Sequence, residues 1–394
     1  MTQYLVSDLI NSIQGKMHDQ TTNKLVGNIY DKIDDAVRNI LMFVDLKEAK
    51  RYVPLETALY ADVNRYLCPN DINGDRVLTI RPISNAYIAN KFRKTSEEEV
   101  VLGKEDYTFA VNYDSGAKFL QINRDVTTQM ELLNEMDSLT LNGAVSISGD
   151  TSELAEDTTN FVSSEASVRF KMNTGGTSGI LDVNGFQAVD LTAYSDEGAV
   201  FALVDLPSIN TGTTPITSIT LRVGQDISNY REVTVTRPHD SNRFRAGLNM
   251  VRFDLRKATN VVGSPTYTGT DYLRLIFTAA TPLPEAVYIN VDQITVRKGT
   301  SYELGYYSIN LFKDYTTGEL KDKPTADNDI VLLEKDSINL IIYETMEIIA
   351  QEMQGEDSVV DLKYFQGKNK AIRDQYKLKY PSETKKKTTF YYRK

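Results

Sequence analysis

The stretch LVGNIYDKIDDAVRNILMFV, residues 25–44, decides how this chain is organised. Its apolar side chains recur every three or four residues, which predicts that they lie along one side of a helix over 22–46. These positions are Leu25, Val26, Ile29, Tyr30, Ile33, Ala36, Val37, Ile40, Leu41 and Val44. A single helix gains most of its stability from packing, so this side needs a partner.

The partner is predicted near the other end of the chain, at 329–354, where a second apolar helical pattern occurs. Further helices are predicted over 4–17, 55–67 and 358–379, the last ending before Pro381. Because the two apolar helices must meet across the intervening chain, we predict one domain that is interrupted by another.

The interrupting segment, 134–300, has the pattern of short strands separated by turns rich in Ser, Thr, Gly and Asn. Such spacing is typical of an antiparallel sandwich. The predicted strands are Ala166–Met172, Gly198–Leu206, Ile216–Val223, Arg231–Thr236, Asn249–Asp254, Asp271–Thr278 and Ala286–Val296. Ahead of them, two runs at 107–111 and 118–122 flank a turn and predict a hairpin.

The predicted fold is therefore α+β and multidomain. A discontinuous helical body with a β-hairpin, 1–133 and 301–379, receives an inserted antiparallel, jelly-roll-like β-sandwich at 134–300, and 380–394 form an extended tail.

Composition limits the possible functions. Of 394 residues, 41% are apolar and 25% charged, which is the globular range, and the formal net charge of −10 disfavours general attraction to nucleic acid. No run approaches the roughly 20 apolar residues of a membrane span, and the start lacks the order of a signal peptide. We expect a soluble protein that stays where it is made, without membrane partners.

Histidine and cysteine are too scarce for most catalytic or metal sites. Cys68 stands alone, and His18 and His239 lie in polar contexts, so both histidines are expected on the surface. Asp71–Asp75 resembles half of a calcium loop but is interpreted as a turn, and 173–179 is interpreted as a flexible glycine-rich turn. We predict no enzyme activity, no metal and no cofactor.

Two binding surfaces remain as candidates. A sandwich could bind sugar on tyrosines, namely Tyr194, Tyr230, Tyr267 or Tyr272, although the chain has no Trp and a core or surface role for them is favoured. The other candidate is the tail, YPSETKKKTTFYYRK, whose basic and aromatic residues suit docking on another protein.

Together these segments resemble the head-to-tail connector (adaptor, head-completion or neck) proteins of tailed bacteriophages, with an insert similar to carbohydrate-binding-module sandwiches. The resemblance lies in Arg81-Pro82-Ile83, Asp106-Tyr107, 188–191, 218–230, 247–254, Gly263-Ser264-Pro265, 306–314, Tyr380-Pro381-Ser382, Lys386-Lys387 and Tyr391-Tyr392-Arg393.

The resemblance implies a structural virion protein of the neck, assembled in the host cytoplasm. It would form a homo-oligomeric ring, commonly a dodecamer, that docks under the portal, contacts other neck or tail proteins and passes DNA without sequence-specific binding. The portal-interface candidates are Tyr380, Lys385, Lys386, Lys387, Phe390, Tyr391, Tyr392 and Arg393. The alternative is a tail-side or decorating structural protein that binds glycans.

Overall fold

A computed structural model of the chain describes residues 3–17, 28–55, 58–60, 63–83, 92–103, 107–114, 117–123, 130–163, 165–209, 213–352 and 362–381. The α-helices in these ranges are α1 (Val6–Met17), α2 (Ile29–Phe43), α3 (Glu97–Val101), α4 (Lys335–Glu352) and α5 (Leu362–Lys379). Short 3-10 helices cover Lys47–Ala49, Thr192–Tyr194 and Leu255–Lys257.

The strands fall into three stretches of chain. The first holds β1 (Tyr4–Leu5), β2 (Lys50–Pro54), β3 (Leu59–Tyr60), β4 (Arg65–Leu67), β5 (Ile72–Pro82), β6 (Arg93–Lys94), β7 (Thr108–Asp114), β8 (Ala117–Asn123) and β9 (Met130–Asn134). The second holds β10 (Ala144–Gly149), β11 (Thr151–Asp157), β12 (Ser167–Met172), β13 (Ser178–Val189), β14 (Gly198–Leu206), β15 (Ile216–Asp226), β16 (Asn229–Val235), β17 (Gly247–Asp254), β18 (Asn260–Val262), β19 (Thr270–Ala279) and β20 (Val287–Thr300). The third holds β21 (Tyr302–Ser308), β22 (Phe312–Lys313), β23 (Leu320–Lys321) and β24 (Ile330–Val331).

The chain divides into two compact units. The terminal unit comprises Met1–Val53, Pro69–Ile80 and Glu303–Lys394, and the sandwich unit comprises Pro54–Cys68 and Arg81–Tyr302.

In the terminal unit, α1, α2, α4 and α5 share one apolar core. Ile33, Val37 and Ile40 of α2 and Leu340 and Ile341 of α4 are among its fully or nearly fully buried side chains. Two small sheets, β1-β24-β22-β23 and β2-β21-β5, complete the unit.

The sandwich unit consists of two antiparallel sheets that face each other. One has the order β10-β13-β19-β15-β16-β18, and the other has the order β11-β12-β20-β14-β17, with β3 and β9 also paired to β20. Their inward side chains form a core that includes Phe170, Phe277 and Ile289. A separate four-stranded sheet, β4-β8-β7-β6, belongs to the same unit. The predicted antiparallel sandwich is thus present, and strands cover all seven of its predicted positions.

The predicted helical adaptor body is wrong. Strands hold more residues than helices, and even the unit that contains the long helices includes two sheets. Within the described part of 55–67, the predicted helix is replaced by β3 and β4, which pair with β20 and β8. The hydroxyl of Tyr66 in β4 accepts a hydrogen bond from the amide of Tyr60 in β3 at 2.7 Å. The helical pattern of 55–67 is short and has no capping residue. Strand pairing with β20 and β8 therefore stabilises this segment more than a helix would.

The predicted hairpin of 107–111 and 118–122 is present as the antiparallel pair β7 and β8. No helix among the described residues is long and apolar enough to cross a membrane.

Candidate functional site

The predicted tail site lies almost wholly outside the described residues, which include only Tyr380 among its eight members. The ring of Tyr380 packs 4.7 Å from that of Tyr376, and its hydroxyl donates to Asp336 at 3.3 Å. The ammonium of Lys47 lies 4.7 Å from the centre of the same ring. Tyr380 is therefore held within the terminal unit, and docking of the tail on a portal stays a prediction.

The four candidate tyrosines do not form an open platform. Tyr194 lies in the sandwich core and Tyr267 packs against its edge. Tyr230 and Tyr272 lie on the outward face of the six-stranded sheet, on opposite sides of Gly224, but they are only 7% and 2% exposed. A sugar cannot stack on rings that are covered to this extent.

An open cleft exists instead on the outward face of the other sheet. It has a volume of about 240 Å³ and is lined by Thr159, Asn160, Phe161, Val162, Leu203, Asp205, Leu248, Asn290 and Asp292. The strand positions follow from alternation, because the neighbours Ile289 and Val291 point into the core and leave Asn290 and Asp292 facing outward.

The wall of this cleft is an apolar loop tip. Phe161 is 42% exposed and Val162 56% exposed, and across the cleft Leu248 is 48% exposed. They lie on a loop between β11 and β12 and on strand β17. Several large apolar side chains exposed together around a concavity mark a binding surface better than they mark a structural one.

Asp157 holds the first half of this loop. Its buried carboxylate accepts hydrogen bonds from the amide and hydroxyl of Thr159, at 2.9 and 2.6 Å, and from the amide of Asn160 at 3.2 Å. The side-chain amide of Asn290 donates to it at 2.9 Å. Burial by itself raises the pKa of Asp157, but the hydrogen bonds from Thr159 and Asn290 outweigh it and hold the pKa well below the usual range.

Asp292 holds the second half. Its buried carboxylate accepts the amides of Val162 and Ser163 at 2.6 and 2.9 Å, and the amide of Gln293 at 2.7 Å. The side chain of Gln293 also donates to the hydroxyl of Ser163 at 3.0 Å. The apolar tip is thus fixed from both sides before any ligand arrives, which removes the entropy cost of ordering it on binding.

Within the described ranges, Asp205 is the polar residue of the cleft whose side chain makes no polar contact that stabilises the fold. Among the described residues its carboxylate has no hydrogen-bond or ion-pair partner, although it is partly buried beside Leu203. Burial first, and the charge of Asp157 second, raise the pKa of Asp205 above its usual value. A partly desolvated acceptor without a donor is suited to bind hydroxyl groups of a ligand.

The same outward face continues along β20 to Tyr288. Its ring is 43% exposed, and its hydroxyl donates to Glu153 at 2.5 Å. The guanidinium of Arg169 lies 5.0 Å from the ring centre. This second aromatic ring, two positions along the strand from Asn290, extends the surface beyond the cleft.

The expectation that His239 is exposed is wrong: it is 6% exposed. Its ring contacts those of Tyr66 and Phe201, with centres 5.0 and 5.7 Å apart. Burial, and next the charge of Arg252, lower the pKa of His239 to about 3. The Arg-Pro-His-Asp sequence has the pattern of a surface turn. Its residues alone do not indicate that side chains of other strands, such as Tyr66, bury the histidine ring.

The half calcium loop is predicted to be a turn, but residues 72–75 belong to strand β5 and only Asp71 precedes it. Asp71 accepts hydrogen bonds from the hydroxyls of Tyr306 at 2.8 Å and Ser308 at 2.6 Å. No group of three or more His, Cys, Asp and Glu side chains in the described ranges is arranged to hold a metal ion.

No protein-family model and no curated protein matches the sequence. Solved structures similar to the chain include carbohydrate-binding modules of the β-sandwich superfamily with promiscuous specificity, at 12% identity and a TM-score of 0.28, covering 62% of this chain and 95% of the other. A family 30 carbohydrate-binding module has 12% identity and a TM-score of 0.31, covering 43% and 99%. A module in complex with β-1,4-galactotriose has 13% identity and a TM-score of 0.26, covering 43% and 99%.

Proposed function

We propose that the chain is a structural protein whose sandwich binds a carbohydrate in the cleft beside Phe161. The observation that supports this most directly is that an exposed aromatic ring, on a loop whose backbone is held by hydrogen bonds, lines the same cleft as the carboxylate of Asp205. A sugar ring has one face of C–H groups and a rim of hydroxyls. The first packs on an aromatic ring, and the second donates hydrogen bonds to carboxylate and amide oxygens.

The charges of the cleft favour a neutral sugar. Asp205 has no ion-pair partner among the described residues, and the guanidinium of Arg169, on the same face, already lies 3.4 Å from Asp157. An acidic sugar would be repelled. The cleft volume of 240 Å³ is slightly below the range of about 300–1,000 Å³ typical of small-molecule pockets, which suits one or two sugar units at a time.

Binding without turnover is the second part of the proposal. Hydrolysis of a glycosidic bond needs two available carboxyl groups that face each other. Asp157 and Asp292 are occupied by the amides and side chains of their own loop, which leaves Asp205 alone. Incubation with the sugar that binds should release no new reducing ends; their appearance would make the protein a hydrolase.

The experiment is a glycan array with the full chain, followed by calorimetry with the sugar found. Phe161→Ala and Asp205→Asn should each weaken binding by about tenfold, the value of one stacking contact or one hydrogen bond to a charged group. Tyr315→Ala, which removes an exposed ring in the terminal unit, is the matched control and should bind normally. Binding to no glycan, or equal binding by all variants, would reject the proposal.

The adaptor ring, with its portal and neck partners and its place in the virion, remains a separate prediction. Seven of its eight proposed contact residues lie outside the described ranges. Co-sedimentation with a portal ring, comparing the full chain with one that ends at Lys379, tests it.

A further inference from the structure

A second cavity lies in the sandwich unit, away from the carbohydrate cleft. It has a volume of about 300 Å³ and is lined by the end of β16, the turn that follows it, part of β17 and the side chains of Leu55, Tyr66 and Leu67. Its floor is buried and includes Pro238, His239 and Asp254, whereas Thr236 and Lys257 at its mouth are exposed. A molecule can therefore enter from solvent and reach a desolvated interior.

The walls carry an excess of positive charge. Arg237, Arg252 and Lys257 line the cavity, and Asp254 is the single acidic residue among the lining residues. Asp254 is already neutralised by the guanidinium of Arg256, with Nε–Oδ1 and Nη2–Oδ2 distances both 3.2 Å. In the described part of the chain, no carboxylate forms an ion pair with Arg252 or Lys257. Arg252 is partly buried, and a cation withdrawn from water without a counter-charge is unfavourable, so an anion would relieve that cost.

The floor of the cavity is electrically neutral but has unused polar atoms. His239 Nε2 lies 3.0 Å from the carbonyl oxygen of Arg65, which can only accept, so Nε2 carries the proton and Nδ1 is left as an acceptor. Nδ1 is buried with no hydrogen-bond partner, and so is Nη1 of Arg252. The histidine therefore offers no counter-charge to the arginines, and the guanidinium of Arg252 has a donor without an acceptor.

We propose that this cavity binds a small molecule through an oxyanion, a carboxylate or phosphate group, held by Arg252 and Lys257. The planar fork of an arginine matches the paired oxygens of either group, and lysine adds a point charge at the mouth. The site differs from the carbohydrate cleft in its residues and in the sign of its charge. Its ligand is anionic, whereas the cleft favours a neutral sugar.

The test is calorimetric titration of the full chain with inorganic phosphate and, separately, with glucuronate, at constant ionic strength made up with sodium chloride. Saturable binding of either is expected, and the two titrations show whether phosphate or carboxylate is preferred. Arg252→Gln and Lys257→Gln should each weaken binding by about tenfold, since each removes a charge-assisted hydrogen bond. Arg243→Gln, an exposed arginine outside the cavity, should leave it unchanged.

Two outcomes would overturn this proposal. One is no saturable heat with either anion at millimolar concentration. The other is equal weakening by Arg243→Gln and Lys257→Gln, which would mean that the anions respond to general surface charge. Lys257 is exposed, so its variant should fold even if that of Arg252 does not. Neither outcome bears on the carbohydrate cleft, which is tested separately by calorimetry with the neutral sugar.

Discussion

The binding role proposed for Asp205 would come at the expense of stability. Its partly buried carboxylate has a raised pKa and no partner in the described ranges, so it binds a proton more readily in the folded than in the unfolded chain. The stability it offers is therefore present at low pH and is lost as the pH rises through its folded pKa. We expect Asp205→Asn to be more stable than the native chain at pH 7, by up to about 1 kcal/mol, while it binds sugar less well.

Urea unfolding at pH 7 and at pH 4 measures this difference, which should shrink at the lower pH. A variant that lost both stability and binding would indicate that Asp205 has a structural role.

His239 makes an opposite contribution to the pH dependence. Its pKa is lowered to about 3, below the ordinary value of 6.5, so between these values the unfolded chain binds a proton that the native chain does not. Its neutral form stabilises the fold fully above pH 6.5, and stability falls as the pH is lowered from there. One such group accounts for up to about 1.4 kcal/mol per pH unit, or roughly 2 kcal/mol between pH 6.5 and 5.

Unfolding of the native chain and of His239→Gln at both pH values tests this, and the variant should show a weaker dependence. Independently, the NMR signal of the native His239 ring should not titrate between pH 8 and 5. A ring that titrates near pH 6.5 would contradict the buried, neutral state.

At the scale of elements, strands were more predictable than sites. The seven sandwich strands follow from β-rich runs between turn residues, whereas the helical spacing of Leu55, Ala58 and Leu59 predicts a helix where the structure has β3 and β4. No local sequence pattern predicts the cleft beside Phe161. Phe161 stands in a Thr-Asn-rich loop that looks like a turn, and its anchor Asp292 lies 130 residues from Val162, so only strand pairing brings them together.

The loop Thr159–Ser163 gives a prediction at this scale. Asp292→Ala removes the acceptor of two loop amides and should destabilise the fold by about 2–3 kcal/mol, since buried donors are left without partners. The amides of Val162 and Ser163 should then exchange hydrogen faster, and sugar binding should weaken. Asp226→Ala, which removes an exposed carboxylate at another turn, is the control. Unchanged exchange in Asp292→Ala would mean that the loop is ordered by other contacts.

At the scale of the whole molecule, the two apolar cores differ in which parts of the sequence supply their residues. Every buried residue of the sandwich core lies between Leu133 and Val296. A continuous segment thus contains its complete core. We expect the fragment 130–302 to fold alone, with the circular dichroism of a β-protein, a cooperative thermal transition and the sugar affinity of the full chain. A fragment that melts without cooperativity would show that segments before residue 130 are required.

The terminal unit should behave in the opposite way, because its core combines Val6–Ala49 with Tyr307–Tyr376. In a chain that ends at Tyr302, α1 and α2, of 12 and 15 residues, lose α4 and α5. Isolated helices of about 12–15 residues are marginal in water, so both should unfold while the sandwich persists. Limited proteolysis should then cleave within Ile29–Phe43, which should stay protected in the full chain. If this segment stayed protected in the shortened chain, the apolar side of α2 would have another partner, and the discontinuous core would not be what holds it.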